Sequence, residues 1–331
     1  MRRLNDRPPV VHLETNLGDC RVNAISSRTM RLVVNGKAAG DQALRAAVAD
    51  VRDNGHQLEV RVTWEHGDAA RYAADAVREG VDVVIAAGGD GTINEVAGGL
   101  LSADGSSETA LAVVPYGTAN DFATGIGVLK GDPLTALLLA AEGAATPIDV
   151  GRVNGRIFVN VTSGGFGAEV TANTPPQMKK ALGGAAYSLM GLVTAAKMNP
   201  YECKFTVPDG TVYEGSLLLM AVGNGRQCGG GYQVTPNAIL NDGLLDLVAV
   251  HDAELQQLGM VLNELLDLTA ETNQFVSYKQ VPAFSLESSR PLQLNLDGEP
   301  YLDTSFQFEL LPEALPFILG PDAPLKADDD A

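Results

Sequence analysis

Cysteine is scarce in this sequence, and its placement excludes two kinds of stabilising chemistry. The only cysteines among the 331 residues are Cys20, Cys203 and Cys228. They are odd in number, lie far apart and form no CxxC pair, which argues against a disulfide framework or a structural zinc site. The four histidines have no metal-ligand spacing either. Such cysteine usage is typical of a reducing cytosol, so a cytoplasmic location is expected.

Basic residues are also few compared with acidic ones. There are 23 Lys and Arg against 41 Asp and Glu, which gives a formal net charge of −18. Nucleic acid would be repelled by this charge, so no nucleic-acid partner is expected. An anionic membrane surface would be repelled as well, so contact with a membrane should be local and transient.

Long hydrophobic runs are missing. No apolar segment follows the arginines near Met1, so no signal peptide is predicted. The longest weakly polar stretch, 182–196, is too short and too rich in glycine to cross a bilayer. Residues 1–29 show no periodicity, and we expect them to form a flexible extension.

From Met30 onward, apolar segments alternate with helical patterns. Strands are predicted at 30–34, 58–62, 81–87 and 110–114. Asp41 and Asp68 are predicted to cap the first two helices, and a third helix is predicted to begin at about Thr92. This alternation predicts an α/β domain over 30–148, with a mostly parallel sheet.

After residue 149 the pattern changes to that of antiparallel strands. The Asn154–Gly155 pair predicts a hairpin with a type I′ turn. Further strands are predicted at 204–207, 211–221, 244–250, 275–281, 292–296 and 305–311, with one helix at 253–268. A β-rich domain is therefore expected over 149–311, followed by a tail over 312–331.

The most informative segment is the glycine-rich sequence GGDGTINE at 88–95, between a predicted buried strand and a helix. Glycines permit positive φ and close approach of a ligand, and a helix N-terminus attracts anions. Thr92 and Glu95 have the spacing of a capping box. These features predict a phosphate-binding loop, although the spacing matches neither a Walker A loop nor a dinucleotide-binding turn. An ordinary turn between a strand and a helix is the alternative.

A second loop, PYGTANDFA at 115–123, follows the next strand. Loops after neighbouring parallel strands open on the same edge of the sheet, where ligands bind. Thr118 is a candidate donor to a phosphate or ribose oxygen, and Asn120 and Asp121 are candidates to position a metal or a hydroxyl. The alternative is a helix cap with a turn.

Taken together, these motifs resemble a known enzyme family. GGDGTINEVAGGL and PYGTANDFATGIG closely resemble the diacylglycerol kinase catalytic superfamily, and NGK, VTWEHGDAARY, TSGGFG, GNGRQCGGG, PNAILNDGLLD and LNLDGEP are similar to bacterial YegS-type lipid kinases. The resemblance implies an α/β N-terminal domain similar to NAD kinases, a β-rich C-terminal domain and an active site in the cleft between them. The final strand region is expected to return to the first domain.

The same resemblance implies an activity and its partners. The chain is expected to be an ATP-dependent kinase that phosphorylates a hydroxyl of a glycerolipid, with phosphatidylglycerol favoured over diacylglycerol. Mg²⁺ is the expected cofactor, with Ca²⁺ as an alternative. An NAD kinase-like enzyme and a non-catalytic nucleotide-binding regulator are the competing functions, and the oligomeric state is left open.

Site residues are also implied by matching the family motifs position by position. The implied ATP contacts are Thr63, Gly89, Asp90, Gly91, Thr92, Ile93, Asn94, Glu95 and Thr118. Together with Asp90, a network lining the cleft is implied for Lys37, Asp121 and Asp149.

Two further motifs carry candidate chemistry. The DGE sequence is implied to supply the base for phosphoryl transfer, either Asp297 or Glu299, while a plain hairpin turn is the alternative. In the NDG sequence, the Asp242 carboxylate and the carbonyls of Ile239 and Leu244 are implied to bind a structural cation, with an Asn-Asp-Gly turn as the alternative.

Two segments are candidates for contact with lipid. Residues 174–199 have lysines at both ends and could form an interfacial helix or a buried one. Residues 229–231, all glycine, are either a flexible lip of the lipid cleft or a plain loop.

Overall fold

The computed structural model describes residues 27–103, 108–165 and 200–326. Several of the sequence-based expectations fall on other parts of the chain. Most of the extension at 1–29, the candidate interfacial helix at 174–199 and the end of the tail lie outside the described residues.

The first half consists of parallel strands and helices. Its elements are β1 (Thr29–Val34), α1 (Gln42–Asp53), β2 (Gln57–Val62), α2 (Asp68–Arg78), β3 (Val83–Gly88), α3 (Asp90–Ser102), β4 (Ala110–Pro115), α4 (Asp121–Gly125) and α5 (Pro133–Glu142). The strands pair in parallel in the order β2-β1-β3-β4. All residues of β3 and β4 are buried, as expected for strands covered on both faces. The predicted α/β domain is therefore confirmed.

The caps of the first two helices differ. The Asp41 carboxylate accepts a hydrogen bond from the amide of Leu44 at 2.8 Å, as predicted for an N-cap. The predicted cap at Asp68 is wrong, because α2 is preceded by Gly67 at φ 89° and Asp68 already lies in the first turn. Its carboxylate accepts from the amides of Trp64 and Glu65, so it orders the preceding loop and not the helix end.

The second half is formed mainly of strands, as expected. Its elements are β5 (Ala145–Val153), β6 (Arg156–Phe158), β7 (Val161–Gly165), β8 (Tyr201–Thr206), β9 (Val212–Gly223), β10 (Gln227–Cys228), β11 (Tyr232–Gln233), β12 (Leu245–His251), a 3-10 turn (Leu255–Gln257), α6 (Leu258–Glu264), β13 (Val276–Val281), β14 (Ala283–Leu296) and β15 (Glu299–Ile318). Asn154 and Gly155 have φ of 46° and 83°, which confirms the type I′ turn. The helix predicted over 253–268 is shorter, because its first turn is a 3-10 turn and α6 ends at Glu264.

The long strand β15 joins the two halves. It pairs in antiparallel fashion with β14 and β5, and Phe317 near its end pairs in parallel with Leu111 of β4. As a result, thirteen described strands form one sheet. Leu315, Phe317 and Ile318 are buried in the hydrophobic core of the first half. The turn between β14 and β15, which carries the DGE sequence, is thereby fixed relative to α3.

Two neighbouring glycines in α3 differ in the space around them, and substitutions at the two positions test the packing of α3 on α2. A Cβ on Gly99 would collide with the backbone carbonyl of Ala70 in α2, whereas a Cβ on Gly98 would meet only the Ile157 side chain at 3.8 Å. We expect Gly99→Ala to lower the free energy of unfolding by about 1–3 kcal/mol. Gly98→Ala should raise it by about 0.5–1 kcal/mol, because alanine favours the helix more than glycine does.

Urea unfolding of both variants beside the wild type measures these changes. Equal destabilisation by the two substitutions would contradict the close packing of α2 on α3.

Candidate active site

The two predicted loops lie side by side at the carboxyl ends of β3 and β4. Their backbones touch, since a Cβ on Gly89 would lie 2.9 Å from the Cα of Gly117. A Cβ on Gly88 would collide with the side chain of Thr92. Of the two properties of glycine, the loop does not use positive φ, because Gly88, Gly89 and Gly91 are not among the residues with positive φ. Close approach of backbone and side chains is the reason for glycine at 88 and 89.

The start of α3 also differs from the prediction. The helix begins at Asp90, with Gly89 as its N-cap, and no side chain caps it. The predicted capping box of Thr92 and Glu95 is wrong, because both side chains bind neighbouring loops. The Thr92 hydroxyl accepts from Asn35 at 3.4 Å, and the Glu95 carboxylate binds His66 and the amide of Gly67.

The first turn of α3 offers two backbone amides to a ligand. The amides of Thr92 and Ile93 both donate to the carbonyl of Gly89, at 2.9 and 3.1 Å. Those of Asp90 and Gly91 belong to the helix positions that have no partner within the helix. The side chain of Ile93 is buried in the core, so Ile93 offers only its backbone to a ligand. The arrangement can bind an anion such as phosphate.

A cavity of about 410 Å³ lies beside Gly89. It is lined by Asn35, Lys37, Gly89, Tyr116, Gly117, Thr118 and Lys130. Two of the predicted residues, Lys37 and Thr118, are therefore brought to the glycine loop. Thr63 is close to the same region, because its hydroxyl accepts from the amide of Gly36 at 3.3 Å.

Lys130 belongs to this cavity but to none of the motifs recognised in the sequence. Its ammonium group donates to the carbonyl of Gly117 at 2.7 Å. No local signal marks it, because its position depends on the loop between α4 and α5 folding back onto the 115–123 loop.

Acidic and amide side chains tie these loops together. The Asp90 carboxylate accepts from the amides of Asp121 and Phe122, at 3.3 and 3.0 Å, and so holds the start of α4. The Asn120 side chain accepts from the amide of Gly117 and donates to its carbonyl. Asn120 therefore closes the 115–123 loop on itself. These hydrogen bonds fit the alternative interpretation, in which Asn120 belongs to a turn.

Asp121 bridges the first half to the second. Its buried carboxylate accepts from the amides of Gly230 and Gly231. Burial raises the pKa of Asp121, while the hydrogen bonds from the glycine amides oppose that rise. The glycine segment 229–231 is thus held against the 115–123 loop.

The DGE sequence forms a hairpin turn and also contributes to the site. Asp297 and Gly298 have φ of 48° and 104° between the paired strands β14 and β15. The Asp297 carboxylate points inward and accepts from the amides of Val159, Asn160 and Val161 and from the side chain of Asn94. Burial raises its pKa to about 6, against the opposing effect of these hydrogen bonds. The side chain of Asn94, an implied ATP contact, thus donates to the Asp297 carboxylate and to the Ile157 carbonyl.

Glu299, two residues later, has the opposite environment. It is exposed, and its carboxylate has no hydrogen-bond partner among the described residues. One of its oxygens would lie 3.8 Å from a Cβ placed on Gly91, beside the first turn of α3. A free carboxylate at this place can accept a proton from a group bound there.

Asp149 lies with the candidate cation segment, away from the glycine loop. Its carboxylate accepts from the amides of Gly243 and Glu313, both at 2.8 Å, and its own amide donates to Leu240. No hydrogen bond or ion pair links Lys37, Asp121 and Asp149 to one another, although all three are described. The implied network is therefore divided between two regions.

The candidate cation ligands are Asp242, Ile239 and Leu244. Burial, followed by the charge of Asp149, raises the pKa of Asp242, whose carboxylate accepts from the Leu244 amide. Among the described residues, no three His, Cys, Asp or Glu side chains are placed to hold a metal. The site that the motif implies has one carboxylate and two carbonyls, so it stays a prediction.

A further acidic residue of this segment was missed by the sequence analysis. Asp246 is fully buried, and its carboxylate accepts from the hydroxyl of Tyr278. Burial raises its pKa to about 6. The pairing of β12 with β13 brings the two side chains together, which no local pattern could indicate.

Comparison with known proteins identifies the family. A protein named "Probable lipid kinase YegS-like" from Chromohalobacter salexigens is 46% identical over 285 residues, which cover 86% of this chain and 91% of that protein. One of the same name from an Enterobacter species is 42% identical, over 89% of this chain and 97% of that protein. The chain belongs to the YegS-like lipid kinase family. The resemblance drawn from the motifs is therefore confirmed.

Family models and solved structures agree with this assignment. Residues 29–153 match the diacylglycerol kinase catalytic domain, and residues 160–319 match the YegS C-terminal NAD kinase beta sandwich-like domain. The crystal structure of a diacylglycerol kinase from Bacillus anthracis superposes with a TM-score of 0.65 and 25% identity, over 89% of this chain and 98% of that one.

For this YegS-like lipid kinase, family membership implies a phosphotransferase with an alcohol acceptor, with ATP and a lipid as partners. Lipid kinases of this family generally use a divalent metal ion. Among the described residues, no helix is both long and apolar enough to span a bilayer.

The acidic surroundings of Cys228 lead to a prediction about its reactivity. Burial, with the charges of Asp121, Asp297 and Asp90, raises the pKa of Cys228 to about 12. Burial also raises the pKa of Cys203 to about 11. Because the thiolate is the reactive form, iodoacetamide should label neither thiol of the native protein appreciably at pH 8.

Mass spectrometry of the labelled peptides measures this, with protein unfolded in urea as the control in which both thiols react. Labelling of native Cys228 as fast as in urea would contradict the acidic, partly buried environment of this thiol.

Proposed function

We propose that this lipid kinase transfers the γ-phosphoryl group of ATP to a hydroxyl of phosphatidylglycerol, with Glu299 as the general base. The observation that carries the proposal is the Glu299 carboxylate beside the first turn of α3, near Gly91, which no side chain or amide in 27–103, 108–165 or 200–326 binds. A base at this place reaches an acceptor hydroxyl that faces a phosphate bound at the helix N-terminus.

The nucleotide phosphates would be held by the backbone amides at Gly89, Asp90 and Gly91. Backbone N–H groups at a helix N-terminus combine hydrogen bonding with the positive end of the helix dipole. Lys37 and Thr118, which line the adjacent cavity, are proposed to bind further oxygens of the nucleotide. Positioning and electrostatic stabilisation supply most of the catalysis in phosphoryl transfer, so this arrangement is sufficient for the protein's part.

The hydrogen bonds of the two carboxylates favour Glu299 over Asp297 as the base. The Asp297 carboxylate already accepts from three backbone amides and the Asn94 side chain. Taking a proton would cost it one or more of these buried hydrogen bonds, which is unfavourable. We therefore assign to Asp297 the positioning of the turn, and to Glu299 the proton transfer.

The proposed step is a single displacement. The Glu299 carboxylate takes the proton of the lipid hydroxyl, and the hydroxyl oxygen forms a bond to the γ-phosphorus. The bond from that phosphorus to the bridging oxygen of the β-phosphate breaks, and ADP leaves with the electron pair. The products are a phosphomonoester of the lipid, ADP and the proton held by Glu299.

Mg²⁺ is the metal that we propose for this enzyme. When bound with ATP, such an ion neutralises charge on the phosphate oxygens. At the second, structural position, the half-buried Asp242 carboxylate beside Asp149 fits a hard cation. Burial, and after it the charge of Asp149, raises the pKa of Asp242, and a positive ion would offset both effects. The carbonyls of Ile239 and Leu244 would complete an oxygen-only set, which also suits Ca²⁺.

Phosphatidylglycerol is proposed as the acceptor because the full set of motifs is similar to that of the YegS-type kinases. The chain's net charge of −18 repels an anionic headgroup at long range. The headgroup must therefore be bound by hydrogen-bond donors or cations close to the site. We propose that the enzyme reaches this lipid through a brief contact with the membrane surface.

A panel of lipids tests the substrate. With radiolabelled ATP and Mg²⁺, phosphatidylglycerol in detergent micelles should be labelled faster than diacylglycerol, phosphatidylethanolamine or NAD. Labelling of NAD with no labelling of any lipid would contradict the proposal.

The base assignment predicts different outcomes for two neighbouring variants. Glu299→Gln should lower kcat by at least about 100-fold and leave the Kd for ATP within about threefold, because it removes only the proton acceptor. Asp297→Asn should lower both activity and stability, the latter by about 2–4 kcal/mol, because an amide cannot accept from all four donors.

Glu287→Gln is the matched control, since Glu287 is an exposed glutamate on β14 away from the turn. Retention of more than a tenth of the wild-type kcat by Glu299→Gln would exclude Glu299 as the base, provided that Glu287→Gln is unchanged.

A further inference from the structure

We infer that Asp121 is a positioning residue that holds the glycine hairpin, formed by β10, residues 229–231 and β11, along the acceptor side of the cleft. The inference rests on the proposed function, because it assigns the hairpin to the lipid and not to the nucleotide. The roles proposed for the DGE turn and the glycine loop at 88–95 do not account for the contact between the buried Asp121 carboxylate and this hairpin.

The contact itself is specific. The amide of Gly230 lies 3.0 Å from both carboxylate oxygens of Asp121, and that of Gly231 lies 2.6 Å from one of them. Asp121 is only 6% exposed, whereas Gly230 and Gly231 lie at the surface, so the bonds are partly buried. Hydrogen bonds to a charged group are stronger than those between neutral groups.

The hairpin needs such a partner because of its backbone. Gly229, Gly230 and Gly231 have φ of 69°, 96° and 98°, three consecutive residues in a region that only glycine adopts readily. Glycine loses the most conformational freedom on ordering, so a run of three is costly to fix. Consecutive amides that converge on one anion form a concave anion-binding arrangement, and here the Asp121 carboxylate supplies the anion.

Hydrogen bonds connect the hairpin to the glycine loop at one end and to the DGE turn at the other. Through its amide, Asp121 also donates to Asp90 of the phosphate-binding loop. At the other end, Asn160 donates from its side chain to the carbonyl of Gln227 in β10 and from its backbone to Asp297 of the DGE turn. The hairpin is therefore tethered between the nucleotide loop and the turn that carries Glu299.

Cys228 of β10 lies within reach of the charges of Asp121, Asp297 and Asp90, so the hairpin lies between the glycine loop and the DGE turn. We therefore assign the hairpin to the binding surface of the acceptor. The Asp121 carboxylate acts on Asp90 only through its charge, and the hydrogen bond to Asp90 comes from the Asp121 backbone amide, which a side-chain substitution leaves in place. Loss of the Asp121 carboxylate should consequently affect the lipid more than ATP.

Two variants and a matched control test this inference. Asp121→Asn removes the charge that the amides bind. Gly230→Ala acts on the other partner, since Gly230 has positive φ and no atom lies within 4 Å of an added Cβ, so only the backbone conformation is disturbed. Gly210→Ala is the control, because Gly210 has φ of 85° and an equally open surrounding in the distant turn between β8 and β9.

The measurements are kcat and KM for the lipid, calorimetric Kd for ATP, and hydrogen exchange of the peptide covering 226–234. For Asp121→Asn we expect kcat/KM for the lipid to fall at least about tenfold, with the Kd for ATP within about threefold of wild type. The hairpin amides should exchange about tenfold faster. Gly230→Ala should change the lipid kinetics and the exchange in the same direction, and Gly210→Ala should change neither.

Three results would overturn the inference: an unchanged lipid kcat/KM in Asp121→Asn, equal losses for lipid and ATP, or unchanged exchange at 226–234. Failure of the proposed function is distinguishable, because the wild type would then phosphorylate no lipid. The exchange measurement would still decide in that case whether Asp121 holds the hairpin.

Discussion

The buried carboxylate of Asp297 is the constraint on which the rest of the site depends. It accepts from the amides of Val159, Asn160 and Val161 and from the side chain of Asn94. These donors come from α3 and from the chain between β6 and β7, so one side chain joins elements from both halves of the molecule. Without it, buried amides would lose their partner, at a cost of about 1–3 kcal/mol each. The turn that this bonding fixes leaves Glu299 beside α3.

A related theme is the use of acidic side chains to bind backbone amides. Asp90, Asp121, Asp149 and Asp297 each accept from two or more main-chain N–H groups. At Asp90, Asp121 and Asp297, those amides offset part of the negative charge that the aspartates would otherwise place near a nucleotide. An acidic chain can therefore bind ATP, because unpaired carboxylates of these three residues do not oppose the lysines and helix amides at the cavity.

Local patterns in the sequence were sufficient for much of the fold. The apolar strands, the Asp41 cap and the Asn154–Gly155 turn depend on residues close in the chain, and each was predicted. The Asp68 cap and the Thr92–Glu95 capping box failed, because the side chains that fit the motif bind neighbouring loops instead. At Gly88 and Gly89 the sequence offered two reasons for glycine, and the structure uses close approach, to Thr92 and to Gly117.

The two glycine loops and the DGE turn could be singled out from the sequence, but the contacts of their side chains could not. Sequence alone could not separate Asp297 from Glu299, because the difference between them is the burial of one carboxylate and the exposure of the other. Nor could it place Asp121 on Gly230 and Gly231, more than a hundred residues away, or bring Lys130 to Gly117. The first contact joins the two halves of the molecule, which β15 unites into one sheet, and the second depends on how the loop between α4 and α5 folds back.

If Glu299 is the base, its carboxylate must face both the acceptor hydroxyl and the phosphoryl group in transfer. A crystal structure with a non-hydrolysable ATP analogue and a lipid acceptor would show this arrangement. We expect a Glu299 carboxylate oxygen to lie about 3 Å from the acceptor hydroxyl and about 5–6 Å from the γ-phosphorus. A γ-phosphate bound away from the first turn of α3, or an acceptor hydroxyl hydrogen-bonded to another carboxylate, would contradict it.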